Sequence, residues 1–452
     1  MQTATPSQPG AGSALTMSTI AFTACFAVWT VFSIIGVKIK QDLGLSEAQF
    51  GLLVGTPILT GSLVRVFLGV WTEQYGGRLV NLLVMLSAAA ATFLLSYAQT
   101  YPQFLLAALG VGMAGGSFAV GVAYVSKFFP KERQGAALGI FGAGNVGAAV
   151  TKFAAPFVML ALGWQSVAQI WAGVLALLAV AFFLTTKDEP DLLTRRRTGA
   201  KPQATGAQLA PLRKLQVWRF ALYYFFVFGG FVALALWLPH YLVAVYHLDI
   251  VAAGMLAAAY SIPGSLFRVF GGWLSDKIGA RKVMYLTFGI SVVCAFLLSY
   301  PATSYVVDGV RGPIAFRLAT GLVPFVILLF ALGFAMSLGK AAVYKHIPVY
   351  YPDHVGAVGG LVGMVGGLGG FIMPIAFGAL NDLTGVWTSC FMLLFILVAG
   401  ALTWMHLAIG RMERANAPQL ANLPELPEMA GLSKTASFAA PAGRAANHPA
   451  NS

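Results

Sequence analysis

Four basic side chains, Arg65, Lys152, Arg268 and Lys340, fall inside segments apolar enough to lie in lipid, whereas every Asp and Glu can be placed at or beyond the end of such a segment. An ionisable group in hydrocarbon is costly and usually marks a substrate or ion path. A buried cation without a carboxylate needs water or an anion brought from outside. The two arginines also sit in duplicated surroundings. Gly61-Ser62-Leu63-Val64-Arg65-Val66-Phe67 recurs at an offset of 203 as Gly264-Ser265-Leu266-Phe267-Arg268-Val269-Phe270. Planar guanidinium offers N–H donors that match the paired oxygens of a planar oxyanion, where lysine supplies only a point charge. The chemistry open to these residues is recognition of a small anion inside a bilayer.

The elements that hold them must be membrane helices. Of the 452 residues 58% are hydrophobic and 10% charged, with a mean hydropathy of +0.79, against about a quarter charged in a soluble domain. No charge lies between Arg78 and Lys127, room for two spans of about 20 residues each. Backbone groups in lipid must bond internally, so such runs mean helices. The 51 glycines suit close helix approach. Twelve spans are predicted, over 17–38, 47–72, 79–98, 103–127, 134–160, 164–186, 217–246, 251–275, 283–300, 317–344, 355–380 and 386–410. The expected fold is an all-α membrane protein of two pseudo-symmetric six-helix bundles, 17–186 and 217–410, joined by a cytoplasmic linker, 187–216, with disordered ends at 1–16 and 411–452.

Charge sets the orientation. Of 28 Lys and Arg, 20 fall on one side, four are internal, and only Lys38, Lys40, Arg311 and Arg317 fall on the other. Positive loops stay cytoplasmic, which puts both termini inside an inner (plasma) membrane and makes the net charge of +13 a topology signal rather than a nucleic-acid footprint. A lipid-binding role for Arg195–Arg197 is the lesser alternative. Cys25, Cys294 and Cys390 lie in apolar spans at unrelated spacings, forming neither a disulfide framework nor a metal site. No cofactor is implied. The first sixteen residues lack the basic start and cleavage site of a signal peptide, so the first span is expected to be retained. A membrane enzyme is disfavoured by the lack of G-x-S-x-G, H-E-x-x-H and C-x-x-C patterns. A non-transporting sensor is disfavoured because the linker and tail are too small and polar for an output domain.

The repeat extends beyond the arginines: Glu73, Gly76 and Arg78 return as Asp276, Gly279 and Arg281. Gly135-Ala136, Gly139, Gly142 and Pro156 in span five are echoed by Gly356-Ala357, Gly360, Gly363 and Pro374 in span eleven. The segment Gly272-Trp273-Leu274-Ser275-Asp276-Lys277-Ile278-Gly279-Ala280-Arg281-Lys282 resembles the loop between spans eight and nine of major facilitator transporters. Twelve spans in two parallel halves fit that superfamily. More narrowly, Arg65, Arg268, Gly142-Ala143-Gly144-Asn145-Val146-Gly147 and Gly363-Met364-Val365-Gly366-Gly367-Leu368-Gly369-Gly370 resemble the nitrate/nitrite porter (NarK-like) family. That resemblance implies Phe118 and Phe228 as aromatics bracketing nitrate, and Asn145 and Tyr224 as polar contacts.

Nitrate suits such a chamber. It is planar, singly charged and weakly hydrated, so aromatic rings can replace its water. If the guanidinium charges lie about 8 Å apart, their repulsion at an effective dielectric of 20 is roughly 2 kcal/mol, which one monovalent anion would relieve. Gly142, Gly144 and Gly147 also match G-x-G-x-x-G, but the strand that a dinucleotide fingerprint needs is missing. These glycines, with Gly363, Gly366 and Gly367, serve either close packing or direct contact. Asn145 needs a polar partner in hydrocarbon. Lys152 and Lys340 could exchange a proton, widen the anion-attracting field, or point to a wet cavity. His240 and His346 read as interfacial, with His240 a fallback proton site. The resemblance implies a secondary transporter of nitrate and also nitrite, working by alternating access as a functional monomer, with Phe32 to Lys38 similar to the proton-coupled uptake branch. Nitrate-for-nitrite exchange is the runner-up, and phosphate or a small carboxylate the lesser substrates.

Overall fold

The computed structural model describes residues 8–190, 192, 194, 198, 213–351 and 355–415. Residues 1–7, most of the linker with Arg195–Arg197, and 416–452 lie outside the described residues.

Among the described residues, 11 helices are long and apolar enough to cross a membrane: Ala11–Leu43, Gly77–Leu95, Tyr101–Ser126, Ala137–Leu162, Trp164–Thr185, Leu215–Tyr246, Ile250–Ile278, Ala280–Ser299, Leu322–Ile347, Val358–Thr384 and Ser389–Arg411. The remaining expected span is the 29-residue helix Glu47–Tyr75, which carries Arg65. Numbered in chain order, these are spans one to twelve. The first helix begins at Ala11 and the last runs to Ala415, so both reach beyond the expected bounds of 17 and 410.

Local signals explain several boundaries. Ser46 and Gln49 form a reciprocal capping box at the start of span two, satisfying N–H groups that have no intrahelical partner. Asp249 accepts from Val251 and Ala252 at 2.9 and 3.0 Å to start span eight. The duplicated glycines after spans two and eight, Gly76 and Gly279, have φ of 94° and 92°. A side chain there would be strained, so the repeat preserves a backbone turn.

One element departs from the all-helical expectation. Thr303–Gly309 pairs antiparallel with Gly312–Leu318, closing over Val310 and Arg311. Span ten accordingly starts at Leu322, not 317. Val306, Val307, Ile314 and Phe316 favour a strand, and Gly312 takes the positive φ that the turn demands.

Among the described residues, backbones of the first six spans and the last six approach closely at two seams. Span two packs on span eleven, where a Cβ on Gly55 would stand 2.9 Å from the Phe371 carbonyl oxygen. Span five packs on span eight, where a Cβ on Gly254 would stand 3.0 Å from Pro156 Cγ and still closer to the Lys152 carbonyl. Backbone meets backbone there, as small residues permit in lipid. Gly69, in the same helix as Gly55, faces open space. Gly55→Ala is therefore expected to lower stability by about 1–3 kcal/mol through overpacking, seen as a lower melting temperature in detergent. Gly69→Ala should leave the melting temperature unchanged or slightly raised.

Candidate functional site

The duplicated arginines meet in the middle of the molecule. Arg65 is 5% exposed and Arg268 7%. The ring of Phe118, from span four, lies between them, with its centroid 5.4 Å from the Arg65 guanidinium carbon and 5.7 Å from that of Arg268. Trp29 and Phe228 face Arg65 at 5.4 and 5.5 Å, and Tyr344 faces Arg268 at 5.7 Å. Ring faces attract cations at such separations, so an aromatic cage holds both charges. Among the described residues, no carboxylate lies within ion-pair distance of either guanidinium.

Glycines make room for these groups. A Cβ on Gly142 would sit 3.2 Å from Arg268 Nε and Nη1. One on Gly367 would sit 3.3 Å from Arg65 Nη1. The other signature glycines pack helix on helix. Gly147 lies against Thr23 and Ala27 of span one, as Gly369 lies against Phe225 and Gly229 of span seven. Gly144 sits beside Phe22, Gly366 beneath Tyr224, and Gly363 beside the Tyr344 hydroxyl. Packing thus accounts for most of the glycine pattern.

The arginines are not equivalent. Arg65 donates from Nε to the Gly115 carbonyl at 3.3 Å and from Nη1 to the Gly363 carbonyl at 3.0 Å, so it ties span four to span eleven. Arg268 keeps a buried Nη1 with no protein hydrogen-bond partner, and the same holds for Tyr224 Oη and for both amide atoms of Asn145. Asn145 is fully buried. The turn Ala143–Val146 that carries it packs against the helix Ile250–Leu266 of span eight, which ends two residues before Arg268. Buried polar groups without partners are rare and costly. Here three such residues, from spans five, seven and eight, accompany a cage of uncompensated positive charge. A small anion with several acceptor oxygens fits that set.

All six expected binding residues are buried, and five of them are tied to the cage by direct contacts. Tyr224 stacks on Phe228 at 5.1 Å and meets Tyr344 edge-on at 4.9 Å. Asn145 is set beside the cage by the packing of the turn Ala143–Val146 on span eight. Trp29 and Tyr344 were not anticipated. Nothing local separates them from the 9 Trp and 15 Tyr of the chain, although Tyr344 lies one helical turn after Lys340.

The lysines differ from one of the expected readings: neither points to a wet cavity, since both are fully buried. Lys152 Nζ donates to the Ala148 carbonyl at 3.2 Å and to Ser261 Oγ at 3.0 Å, across the seam between spans five and eight. Lys340 bonds to the Gly264 carbonyl and lies over Phe231 at 3.4 Å. His346 is buried near the C-terminal end of span ten, with Nδ1 2.7 Å from the Ala342 carbonyl oxygen. His240 is buried too, bonded to Glu47 at 2.7 Å rather than lying free at an interface.

Comparison with known proteins places this geometry in a group. The sequence model of the Major Facilitator Superfamily matches residues 17–323. A Thermus thermophilus protein named "Probable nitrate/nitrite antiporter NarK1" is 42% identical over 427 residues, spanning 91% of this chain and 95% of its own. The Bacillus subtilis "Nitrite extrusion protein" is 30% identical over 400 residues, spanning 87% and 94%. A Staphylococcus epidermidis "Probable nitrate transporter NarT" is 31% identical over 397 residues, spanning 87% and 96%. Among solved structures, a bacterial homolog of the human lysosomal transporter Spinster shares the fold with a TM-score of 0.66, at 17% identity over 89% of this chain and 97% of that one.

The unequal anchoring of the arginines can be read without any ligand. Arg65→Lys should cost about 1–3 kcal/mol, because one Lys head cannot keep both carbonyl bonds. Arg268→Lys should cost much less. Thermal unfolding of the anion-free protein compares them.

Proposed function

We propose a function from this premise: the chain belongs to the nitrate/nitrite porter (NarK-like) family of the Major Facilitator Superfamily. It carries nitrate, and also nitrite, across the inner membrane by alternating access. The observation that carries this reading is the caged arginine pair without carboxylates, beside the unpartnered Arg268 Nη1, Asn145 amide and Tyr224 hydroxyl. Arg65, Arg268, Asn145, Phe118, Tyr224 and Phe228 form the substrate chamber. Arg268, Asn145 and Tyr224 offer donors to oxygens, while Phe118 and Phe228 replace the water of a weakly hydrated ion. Phosphate and carboxylates carry more charge or bulk and call for more donors than this chamber supplies.

The transport unit is a monomer with both termini cytoplasmic, in which residues 17–186 and 217–410 rock as two bundles about the seams. The cycle is proton symport. Nitrate stays ionised at physiological pH, so a coupled proton must ride on the protein or on water, and the chamber holds no carboxylate. Lys152 is the proposed carrier: an amine held across a seam by neutral partners alone can gain and lose a proton as that seam opens and closes. Lys340, held by Gly264 and Phe231, contributes positive potential. The name of the Thermus relative favours a second reading, nitrate-for-nitrite exchange, in which Lys152 only adds to the field.

Proteoliposomes with an inward proton gradient and no internal nitrite separate the two, since symport gives uptake and obligatory exchange gives none. In that assay Arg65→Lys and Arg268→Lys should each abolish uptake while the protein stays folded; wild-type rates in either would undo the bidentate argument. Lys152→Met should reduce gradient-driven uptake more than nitrate self-exchange, and equal losses would assign Lys152 to binding or folding.

A further inference from the structure

On the side of the molecule opposite the basic loops, the two sets of six spans are tied by charged groups that the chamber does not use. Glu47, the first residue of the span-two helix, lies 2.7 Å from His240 Nε2 of span seven through Oε2, and 3.2 Å from Lys40 Nζ through Oε1. Asp382, near the end of span eleven, accepts from the backbone N–H groups of Glu47 and Ala48 at 3.1 and 2.8 Å. The same helix start is therefore held by two residues from the other six spans. His240 and Glu47 side chains are only 9% and 15% exposed.

We propose that His240 is a proton-binding latch, through which acidity on this outer face favours closure of the outer ends of the two sets of spans. The charges support this. From span one, Lys40 reaches Glu47, while Lys38 and Asp42 pair with each other at 2.7 Å. From span two comes Glu47, from span eleven Asp382, and at the start of span eight Asp249 is engaged in its own cap. The other groups facing His240 are the rings of Phe50, Trp237 and Trp387; its own helix end adds Tyr241, Tyr246 and His247. Against the carboxylates of Glu47 and Asp382 stand Lys40 and the partial positive charge of a helix N-terminus. A proton on His240 supplies the second full positive charge and turns the bond between a neutral ring and the Glu47 carboxylate into an ion pair with both partners charged.

The position also fixes what the latch cannot do. The pair lies at the start of the span-two helix and in the last part of span seven rather than among the caged arginines, so in this proposal a proton bound there returns to the side it came from. His240 governs the outer gate without carrying charge across, which separates its role from that proposed for Lys152. The latch rests on the alternating-access reading but not on nitrate as cargo.

Spin labels report it without any substrate. Leu43 and Leu383 are exposed at the outer ends of spans one and eleven, 36% and 82%, and the native cysteines are buried. Leu43→Cys and Leu383→Cys, labelled together in lipid nanodiscs without nitrate, should show a longer inter-label distance gaining population as pH rises from acidic to alkaline. The expected change is about tenfold in the ratio of long to short distances. His240→Gln keeps a donor for Glu47 but cannot titrate, and should flatten the response. Glu47→Gln should raise the long-distance population at every pH. A wild-type distribution indifferent to pH, or an undiminished shift in either variant, would overturn the proposal. A protein that failed to carry nitrate would leave this readout untouched, so the two readings fail separately.

Discussion

A guanidinium group brings five N–H donors and a permanent charge into lipid, and both have to be met. Among the described residues protein carboxylates meet neither, and much of the central architecture follows from that refusal. Aromatic rings take up the charge from the sides: Trp29, Phe118 and Phe228 around Arg65, Phe118 and Tyr344 around Arg268. Gly142 and Gly367 give up their side chains so that flat cations can lie against helices. Carboxylates appear instead at the rim opposite the basic loops, where Glu47 and Asp382 hold the two sets of spans together. An acid in the middle would have neutralised the arginines permanently and left nothing for cargo to do.

The two arginines share an origin in the repeat and yet divide the work. Carbonyls from spans four and eleven claim Arg65, one on each side of the seam between the two sets of spans. Arg268 is held less tightly and keeps a donor in reserve. Duplication supplied equal residues, and local backbone made them unequal. Span five brings a buried Asn145 to its seam with span eight, whereas span eleven lays Gly367 against Arg65, so the difference extends to the walls.

The sequence made the arginines, their depth and the repeat legible because lipid tolerates few charges and the chain has no other reason to place any there. The twelve helices were legible for the same reason, through their apolar length. Three things were hidden. The hairpin over 303–318 lay in a stretch read only as a gap between spans, although Val306-Val307 and the Gly309–Gly312 pair carry strand and turn signals. Trp29 and Tyr344 look like any other aromatic of a hydrophobic chain until the fold turns them towards a cation. The His240–Glu47 pair spans 193 positions, and no local pattern announces a contact formed by two helix ends brought together only by tertiary packing.

The unlike walls beside Arg65 and Arg268 have a thermodynamic reading. In the proposed transporter, an ion held by an amide on one side and facing a bare glycine on the other would rest off the pseudo-twofold axis. Opening towards one compartment then disturbs its bonds differently from opening towards the other. Half-saturating concentrations measured from the two faces need not agree, and sidedness of affinity would be built into a molecule whose two halves descend from one ancestor.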